Sequence, residues 1–370
     1  MNVPFNDLSR RLSGLHNLIL NKLETSLQKT DFVLGVSVSS FENEFAEFIG
    51  SKFATGVNSG TDALTLSLRS LMLSSKSPIK VGTTANAGGY ATIAALLNRL
   101  EIHFVDIDNN SLQINLEGVK DLAARGCNVI VVTHLYGYAN PEIEQIAEFC
   151  QRKKLFLIED CAQAHGVHVK GRHVGTYGDI STFSFYPTKN LGGIGDGGAV
   201  LTNSSEISDR VKSLRNYGWG EKYGVELQGG TNSRLDSIQA EVLSILIPYL
   251  SEQNVQRQKI ATRYRSEIKN TSIRLLPFTA ENHNGHIFPI MSPKRPFIQR
   301  KLSEAGIETA IHYPIPDYKQ RAWRNIYRVA PSLPVTETAC SEIISLPIFP
   351  GMNDFEIDYV IETINSISSE

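Results

Sequence analysis

Residues 184–198 read S-F-Y-P-T-K-N-L-G-G-I-G-D-G-G, a lone lysine followed by five glycines within nine residues. Two phosphate-binding arrangements come close to this pattern, and both fail on order. A P-loop places its lysine directly after the last glycine, just inside a helix, whereas Lys189 precedes the glycines and a strand-like A-V-L-T follows them. Gly193-x-Gly195-x-x-Gly198 matches the dinucleotide fingerprint letter for letter, but it lacks a strand before it and a helix after it. The segment instead sets a lysine just beyond the strand-like S-T-F-S-F, with glycines that permit close backbone approach and positive φ. Phe185, Tyr186 and the φ-restricting Pro187 surround the lysine more closely than a solvated surface charge requires.

On either side of this segment, from about residue 41 to 215, helical and strand-like patterns take turns. F-E-N-E-F-A-E-F-I and T-D-A-L-T-L-S-L-R-S-L have helical spacing, with the short strand F-A-T-G-V between them. I-H-F-V-D-I-D, N-V-I-V-V-T-H and L-F-L-I-E-D read as strands, and P-E-I-E-Q-I-A-E-F-C-Q-R-K as a helix between the last two. Such alternation predicts an α/β fold with βα units and a mainly parallel sheet covered on both faces. From about Arg234 to Lys269 the pattern is helical, and Pro248 is expected to break or kink it. This stretch is taken to link a large domain, residues 1–245, to a smaller C-terminal domain, residues 246–370.

The 370 residues are 41% hydrophobic and 20% charged, enough for two cores. Lys and Arg number 36 against 38 Asp and Glu, so a net charge of -2 gives no electrostatic reason to expect nucleic acid or an anionic membrane as partner. There is no apolar h-region at the start and no run of eighteen apolar residues, so a cytoplasmic location is expected. Cys127, Cys150, Cys161 and Cys340 are widely spaced, which suits reduced, buried thiols. His165, His168 and His173 lie close in sequence, but positions three apart on a strand face opposite sides and K-G-R at 170–172 reads as a hairpin turn; no metal site is expected.

In an open parallel sheet, ligands gather beyond the carboxyl ends of the strands. V-N-S-G-T-D-A-L (57–64) starts a helix there, and its free N–H groups can hold a phosphate, although for this stretch taken alone plain N-capping by Ser or Thr is the commoner explanation. L-F-L-I-E-D delivers Glu159 and Asp160 to the same edge, and strand alternation lets only one of them face a ligand. His134 and Tyr136 follow another strand, where either can touch a ligand, although a lone histidine in a loop is more often a hydrogen-bonded structural residue. A lysine, a phosphate-sized helix terminus and a strand-end carboxylate together suit pyridoxal phosphate. Lys189 would join the aldehyde and later carry a proton between the substrate carbon and the cofactor, which requires its amine to be neutral; Asp160 would keep the pyridine nitrogen protonated.

The chain resembles the DegT/StrS family of pyridoxal-phosphate-dependent sugar aminotransferases, a branch of the aspartate-aminotransferase fold, through V-P-F-N-D-L, N-S-G-T-D-A-L, F-V-D-I-D, E-D-C-A-Q-A-H-G, S-F-Y-P-T-K-N-L-G-G-I-G-D-G-G-A-V, L-R-N-Y-G, N-S-R-L-D-S-I-Q-A and I-H-Y-P-I-P. The resemblance implies a smaller C-terminal domain of α+β type. It implies Lys189 as the Schiff-base lysine, Asp160 against the pyridine nitrogen, Gln163 near the ring and its 3-hydroxyl, and Gly60, Thr61 and Ser184 at the phosphate. It also implies that Asn232 reaches the phosphate across the interface of a homodimer with shared active sites. Where the family places an aromatic ring on the cofactor from a T-F-x-A-T segment, A-N-A-G-G-Y-A-T-I leaves Tyr90 as the nearest candidate. Relatives that dehydrate sugars carry histidine in place of the lysine, so Lys189 implies transamination. Y-G-W-G-E-K-Y and I-H-Y-P-I-P most resemble enzymes that aminate C3 of a nucleotide-linked, commonly dTDP-linked, 3-keto-6-deoxyhexose. The implied donor is L-glutamate, and His312, Tyr313, Tyr186 and Tyr217 would approach the sugar or its diphosphate. C4 amination of a UDP- or dTDP-linked 4-keto sugar is the alternative within the family. Alternatives of other classes are a non-catalytic ligand-binding regulator on the same fold and a nucleotide-dependent oxidoreductase, the latter requiring the glycine-rich segment to open a helix.

Overall fold

The computed structural model describes residues 1–30, 32–75, 77–326 and 331–368. The first five strands are β1 (Phe53–Val57), β2 (Lys80–Thr84), β3 (Glu101–Val105), β4 (Val129–Thr133) and β5 (Phe156–Asp160). A separate hairpin follows, β6 (His168–Val169) and β7 (Arg172–His173), turned by Lys170 at φ 49° and Gly171 at φ 80°, as K-G-R foretells. The chain then returns to the main sheet as β8 (Ile180–Ser184) and β9 (Gly198–Thr202). The seven-stranded sheet has the order β1-β9-β8-β5-β4-β2-β3. Strands β3, β2, β4, β5 and β8 run parallel, and β9 lies antiparallel to both β8 and β1. Lys189 therefore sits in a connection held at both ends by the sheet.

Helices cover both faces. On one, Phe41 and Phe45 of the helix Val36–Ile49 pack on Phe183 and Phe185, the Phe45 ring meeting those two edge-on at 5.1 and 5.2 Å. On the other, Leu64, Leu66, Leu68 and Leu71 of the helix Gly60–Met72 pack against Val81, Val131 and Ile158. Strand β2 does not emerge from the sequence pattern, because K-V-G-T-T holds a single aliphatic residue. Pairing settles it: Val81 aligns with Ile102 and Val129, and the Thr83 hydroxyl donates to the Val131 carbonyl at 3.0 Å.

The expected break at Pro248 is absent. Ser237–Glu267 is one helix with Pro248 inside it. Proline removes one N–H bond there, but Ala240, Leu243, Leu246 and Leu250 are anchored in the core shared with the helix Val36–Ile49, while Ile260, Ala261 and Tyr264 are anchored in a second core. Packing at both ends outweighs the lost bond. The second core lies under an antiparallel sheet of β10 (Arg274–Leu275), β11 (Phe288–Met291) and β12 (Ile343–Leu346), with the helices Arg295–Glu304 and Asp354–Ser366 against it. Val3 also belongs to this core and pairs with Ile307, so the first residues cross the molecule. Among the described residues, no helix is long and apolar enough to cross a membrane.

Candidate active site

The carboxyl end of β5, the end of β8, the start of the helix Gly60–Met72 and the loop bearing Lys189 enclose a cavity of about 400 Å³. Asp160, the last residue of β5, is buried at its floor. Its carboxylate accepts from the Ala162 N–H at 3.1 Å and from the Thr133 hydroxyl at 3.4 Å. Burial raises its pKa, opposed by the Ala162 bond and by the charge of Lys189.

Glu159 faces the other way, as strand alternation requires. It accepts from His134 Nε2 at 3.0 Å and from the N–H groups of Gly175, Tyr177 and Gly178 at 2.7–2.8 Å. Burial pushes its pKa up, yet these donors outweigh burial and the carboxyl stays below its usual value. His134, Glu159 and Cys161 stand close enough to suggest a cation cluster, but the Glu159 oxygens are already engaged by four donors. Tyr136 is buried and donates from its hydroxyl to the His312 carbonyl at 3.0 Å. Both side chains are engaged in hydrogen bonds within the protein.

Lys189 opens onto the cavity, and the protein around its amine disfavours the charged form. Burial brings its pKa down from 10.5 to about 8, with Asp160 pulling the other way. His312 is likewise lowered by burial, and next by Lys189, to about 4, and His286 is pushed well below its ordinary value by the same two effects. Among the described residues lining the cavity, Lys189 is thus the one that can carry positive charge near neutral pH.

The glycines after Lys189 correct the sequence reading. Positive φ was expected, but Gly192, Gly193, Gly195, Gly197 and Gly198 are absent from the glycines with positive φ. Close approach alone explains them. A Cβ on Gly193 would lie 2.5 Å from Gln239 Oε1, and one on Gly198 would lie 2.4 Å from the Ser59 carbonyl. That second approach brings the end of the lysine loop against the first turn of the helix Gly60–Met72.

That helix is capped by Ser59, whose hydroxyl accepts from the Asp62 N–H at 3.1 Å, while first-turn N–H groups at Gly60 and Thr61 have no intrahelical partner. Ser184, at the end of β8, stands so close that a Cβ on Gly60 would lie 2.6 Å from its Cβ. Helix terminus and hydroxyl make a small anion cradle facing Lys189. Gly60→Ala should spread that cradle and weaken phosphate-ester binding on the order of tenfold, the worth of one charge-assisted hydrogen bond. Fluorescence titration of the cofactor-free protein reads this; unchanged affinity would place the phosphate elsewhere.

Gln163 links Tyr136 to Tyr313 at the cavity wall. Its side-chain oxygen accepts from the Tyr136 N–H at 2.5 Å, and its amide donates to the Tyr313 hydroxyl at 3.2 Å. Tyr90, at the start of the helix Tyr90–Leu97, meets the Tyr313 ring edge-on at 6.2 Å. Tyr186 and His312 also line the cavity. Tyr217 and Asn232 do not: Asn232 is exposed and bridged to Asn216, and Tyr217 lies beneath the Arg234 guanidinium, 5.5 Å from its ring centre. Phe5, Asn6, Asp196 and His286 line the cavity without having been singled out in sequence. V-P-F-N-D-L held the signal for the first two; nothing local marks His286, which reaches the site through a hydrogen bond to Asn190 at 3.0 Å.

An amine at lowered pKa, a buried carboxylate beyond it and an anion cradle beside both fit the aldehyde, ring nitrogen and phosphate of pyridoxal phosphate. The sequence pattern of the DegT/DnrJ/EryC1/StrS aminotransferase family matches residues 15–365. The chain belongs to that family. It is 38% identical over 364 residues to the dTDP-3-amino-3,6-dideoxy-alpha-D-galactopyranose transaminase of Aneurinibacillus thermoaerophilus, covering 98% of this chain and 99% of that one. Its fold superposes on the structure of Streptomyces venezuelae DesV in complex with a ketimine intermediate with a TM-score of 0.92, at 33% identity and 98% coverage of each chain. Bacillus subtilis NtdA with bound cofactor PMP superposes with a TM-score of 0.90 at 29% identity, over 98% of this chain and 84% of that one. The DegT/DnrJ/EryC1/StrS chain described here is a pyridoxal-phosphate-dependent aminotransferase of the α/β, aspartate-aminotransferase-like class.

One pH dependence follows for this DegT/DnrJ/EryC1/StrS enzyme. Because burial favours the neutral amine, capture of pyridoxal phosphate by the cofactor-free protein should rise with pH and level off above about 8, well short of 10.5. Asp160→Asn removes the charge that favours the ammonium form, so its midpoint should move lower. A midpoint that rises in this variant would contradict the assignment.

Proposed function

We propose that the enzyme transfers the amino group of L-glutamate to C3 of a nucleotide-linked, dTDP-type 3-keto-6-deoxyhexose, in deoxyamino-sugar biosynthesis. The observation that carries this reading is Lys189 itself: a lysine amine open to the cavity that Asp160 and the anion cradle also line, in a chain 38% identical over 364 residues to a dTDP-3-amino-sugar transaminase. When bound, pyridoxal phosphate supplies the electron sink that makes the carbon-bound hydrogen of the donor acidic.

The protein's own groups do the rest. Lys189 Nζ takes a proton from one carbon and returns it to another, a task suited to an amine poised near neutral pH. Asp160 holds positive charge at the cavity floor. The helix terminus at Gly60 and Thr61, with the Ser184 hydroxyl, binds the phosphate. Gln163 would hold the hydroxyl of the bound cofactor's ring, and Tyr90 would supply the aromatic wall beside it. Tyr186, His312 and Tyr313 meet the sugar, whose nucleotide contributes binding energy remote from the reacting carbon.

The cavity's shortage of cations supports a homodimer. A nucleotide diphosphate carries more negative charge than Lys189 alone meets, and Tyr217 and Asn232, displayed outside the cavity, are placed in this reading at a second copy's site. The division near residues 245 and 246 and a cytoplasmic setting belong to the same reading. The test is glutamate-dependent amination of a panel of dTDP- and UDP-linked 3-keto and 4-keto sugars. Amination of the dTDP-3-keto sugar is expected; preference for a 4-keto sugar moves the site of amination to C4, and failure to release 2-oxoglutarate from glutamate overturns catalysis altogether.

A further inference from the structure

Two consecutive arginines on one short helix grip different parts of the protein. The helix Leu8–Arg11 is capped by Asp7, which accepts from the N–H groups of Ser9 and Arg10. Arg10 reaches the C-terminal unit: it donates to both oxygens of Glu356 at 2.7 and 2.9 Å and to the Gly351 carbonyl at 3.2 Å, and lies over the Phe349 ring. Arg11 turns inward and is 4% exposed. No carboxylate of the described residues pairs with it.

What Arg11 meets is the loop that carries Lys189. Its Nη1 donates to the carbonyls of Pro187 and Lys189, each at 2.9 Å, and its Nη2 to that of Gly192 at 3.0 Å. Gly192 is shaped to this grip, since a Cβ there would stand 2.8 Å from Arg11 Nη1 and 2.5 Å from the Pro187 carbonyl. Burying a guanidinium without a carboxylate is costly, and burial draws its pKa down to about 10, which still leaves it charged near neutral pH. A neutral donor would satisfy one carbonyl at less cost. A planar fork of fixed geometry is what three carbonyls from a single loop require if the loop is to hold one curvature.

We propose that Arg11 is a positioning residue for amino transfer: its guanidinium gathers the Pro187, Lys189 and Gly192 carbonyls and so sets where the Lys189 amine stands relative to Asp160. This rests on reading Lys189 as the reactive amine. The test compares Arg11→Lys, which keeps the charge but cannot span three carbonyls, and Arg11→Gln with Arg10→Gln, which loosens the same helix without touching the loop.

In the holoenzyme, both Arg11 variants should slow single-turnover release of 2-oxoglutarate on the order of 10- to 100-fold, with apparent glutamate affinity changed by less than about threefold. In the cofactor-free protein, hydrogen exchange at the Lys189 and Gly193 amides, which bond to the Tyr186 and Phe185 carbonyls, should accelerate by about tenfold or more while β8 and β9 keep their protection. Arg10→Gln should lower the melting temperature and leave both readouts unchanged. Unchanged exchange and turnover in Arg11→Lys, or equal changes in Arg10→Gln, would overturn the proposal. If Arg11→Gln does not fold, Arg11→Lys decides alone. Borohydride trapping on the wild type separates the two readings: label away from Lys189 defeats the lysine assignment, whereas label on Lys189 with unaltered Arg11 variants defeats only the role of Arg11.

Discussion

Lys189→Ala should lower turnover with glutamate by on the order of 10²- to 10⁴-fold, the usual worth of a positioned acid–base group. On the proposed function the substitution removes the group that takes the proton from carbon, and alanine offers no replacement. Lys189→Arg sharpens the result, because a guanidinium stays protonated at any working pH and cannot accept a proton. Both variants should bind the cofactor through the cradle at Gly60, Thr61 and Ser184 without covalent attachment. Stopped-flow release of 2-oxoglutarate measures the loss, and mass spectrometry after borohydride measures the attachment. A variant that retains more than about a tenth of the wild-type rate would show that another group moves the proton.

Asp160→Asn should cost a comparable factor, on the order of 10² or more, for a different reason. Asparagine keeps the size and one acceptor oxygen, so the Ala162 bond can persist and the Thr133 hydroxyl can accept from the new NH2 group, but the charge is gone. Burial raises the Asp160 pKa and the charge of Lys189 lowers it, so positive charge beside the carboxylate favours its ionised form. With the amine of Lys189 engaged, a protonated ring nitrogen of the bound cofactor would supply that charge. Asp160→Asn should therefore bind cofactor with nearly ordinary affinity and fail at removing the donor's carbon-bound proton. A primary isotope effect on deuterated glutamate that grows in this variant supports the assignment; an unaltered rate and isotope effect would remove Asp160 from the chemistry.

The sheet was readable wherever apolar runs were strong, as in N-V-I-V-V-T-H and L-F-L-I-E-D, and unreadable at K-V-G-T-T, where parallel neighbours on both sides decide what local composition leaves open. Pro248 misled because a local rule about one missing N–H meets a helix anchored in two cores. At the site, adjacency on a strand separated Asp160 from Glu159 in advance, and order along the chain set Lys189 apart from a phosphate loop. The glycines behind it were noticed for one of two correct reasons: their lack of a side chain matters, and their freedom at positive φ is not used. Arg11 was beyond reach, since no pattern near the start of a chain announces that it will lie against residues 187–192.

The crossing of the first residues has a consequence for how the protein is made. Phe5 and Arg10 find their carboxylate partners 303 and 346 positions later, at Glu308 and Glu356. At roughly 5–20 residues per second, a ribosome needs roughly 17 to 70 s to release the second partner after the first has emerged. For that interval the parallel strands can pair and Arg11 can reach the lysine loop, while Phe5 and Arg10 lack their partners, so the first residues of a nascent chain stay half fastened until synthesis is nearly complete.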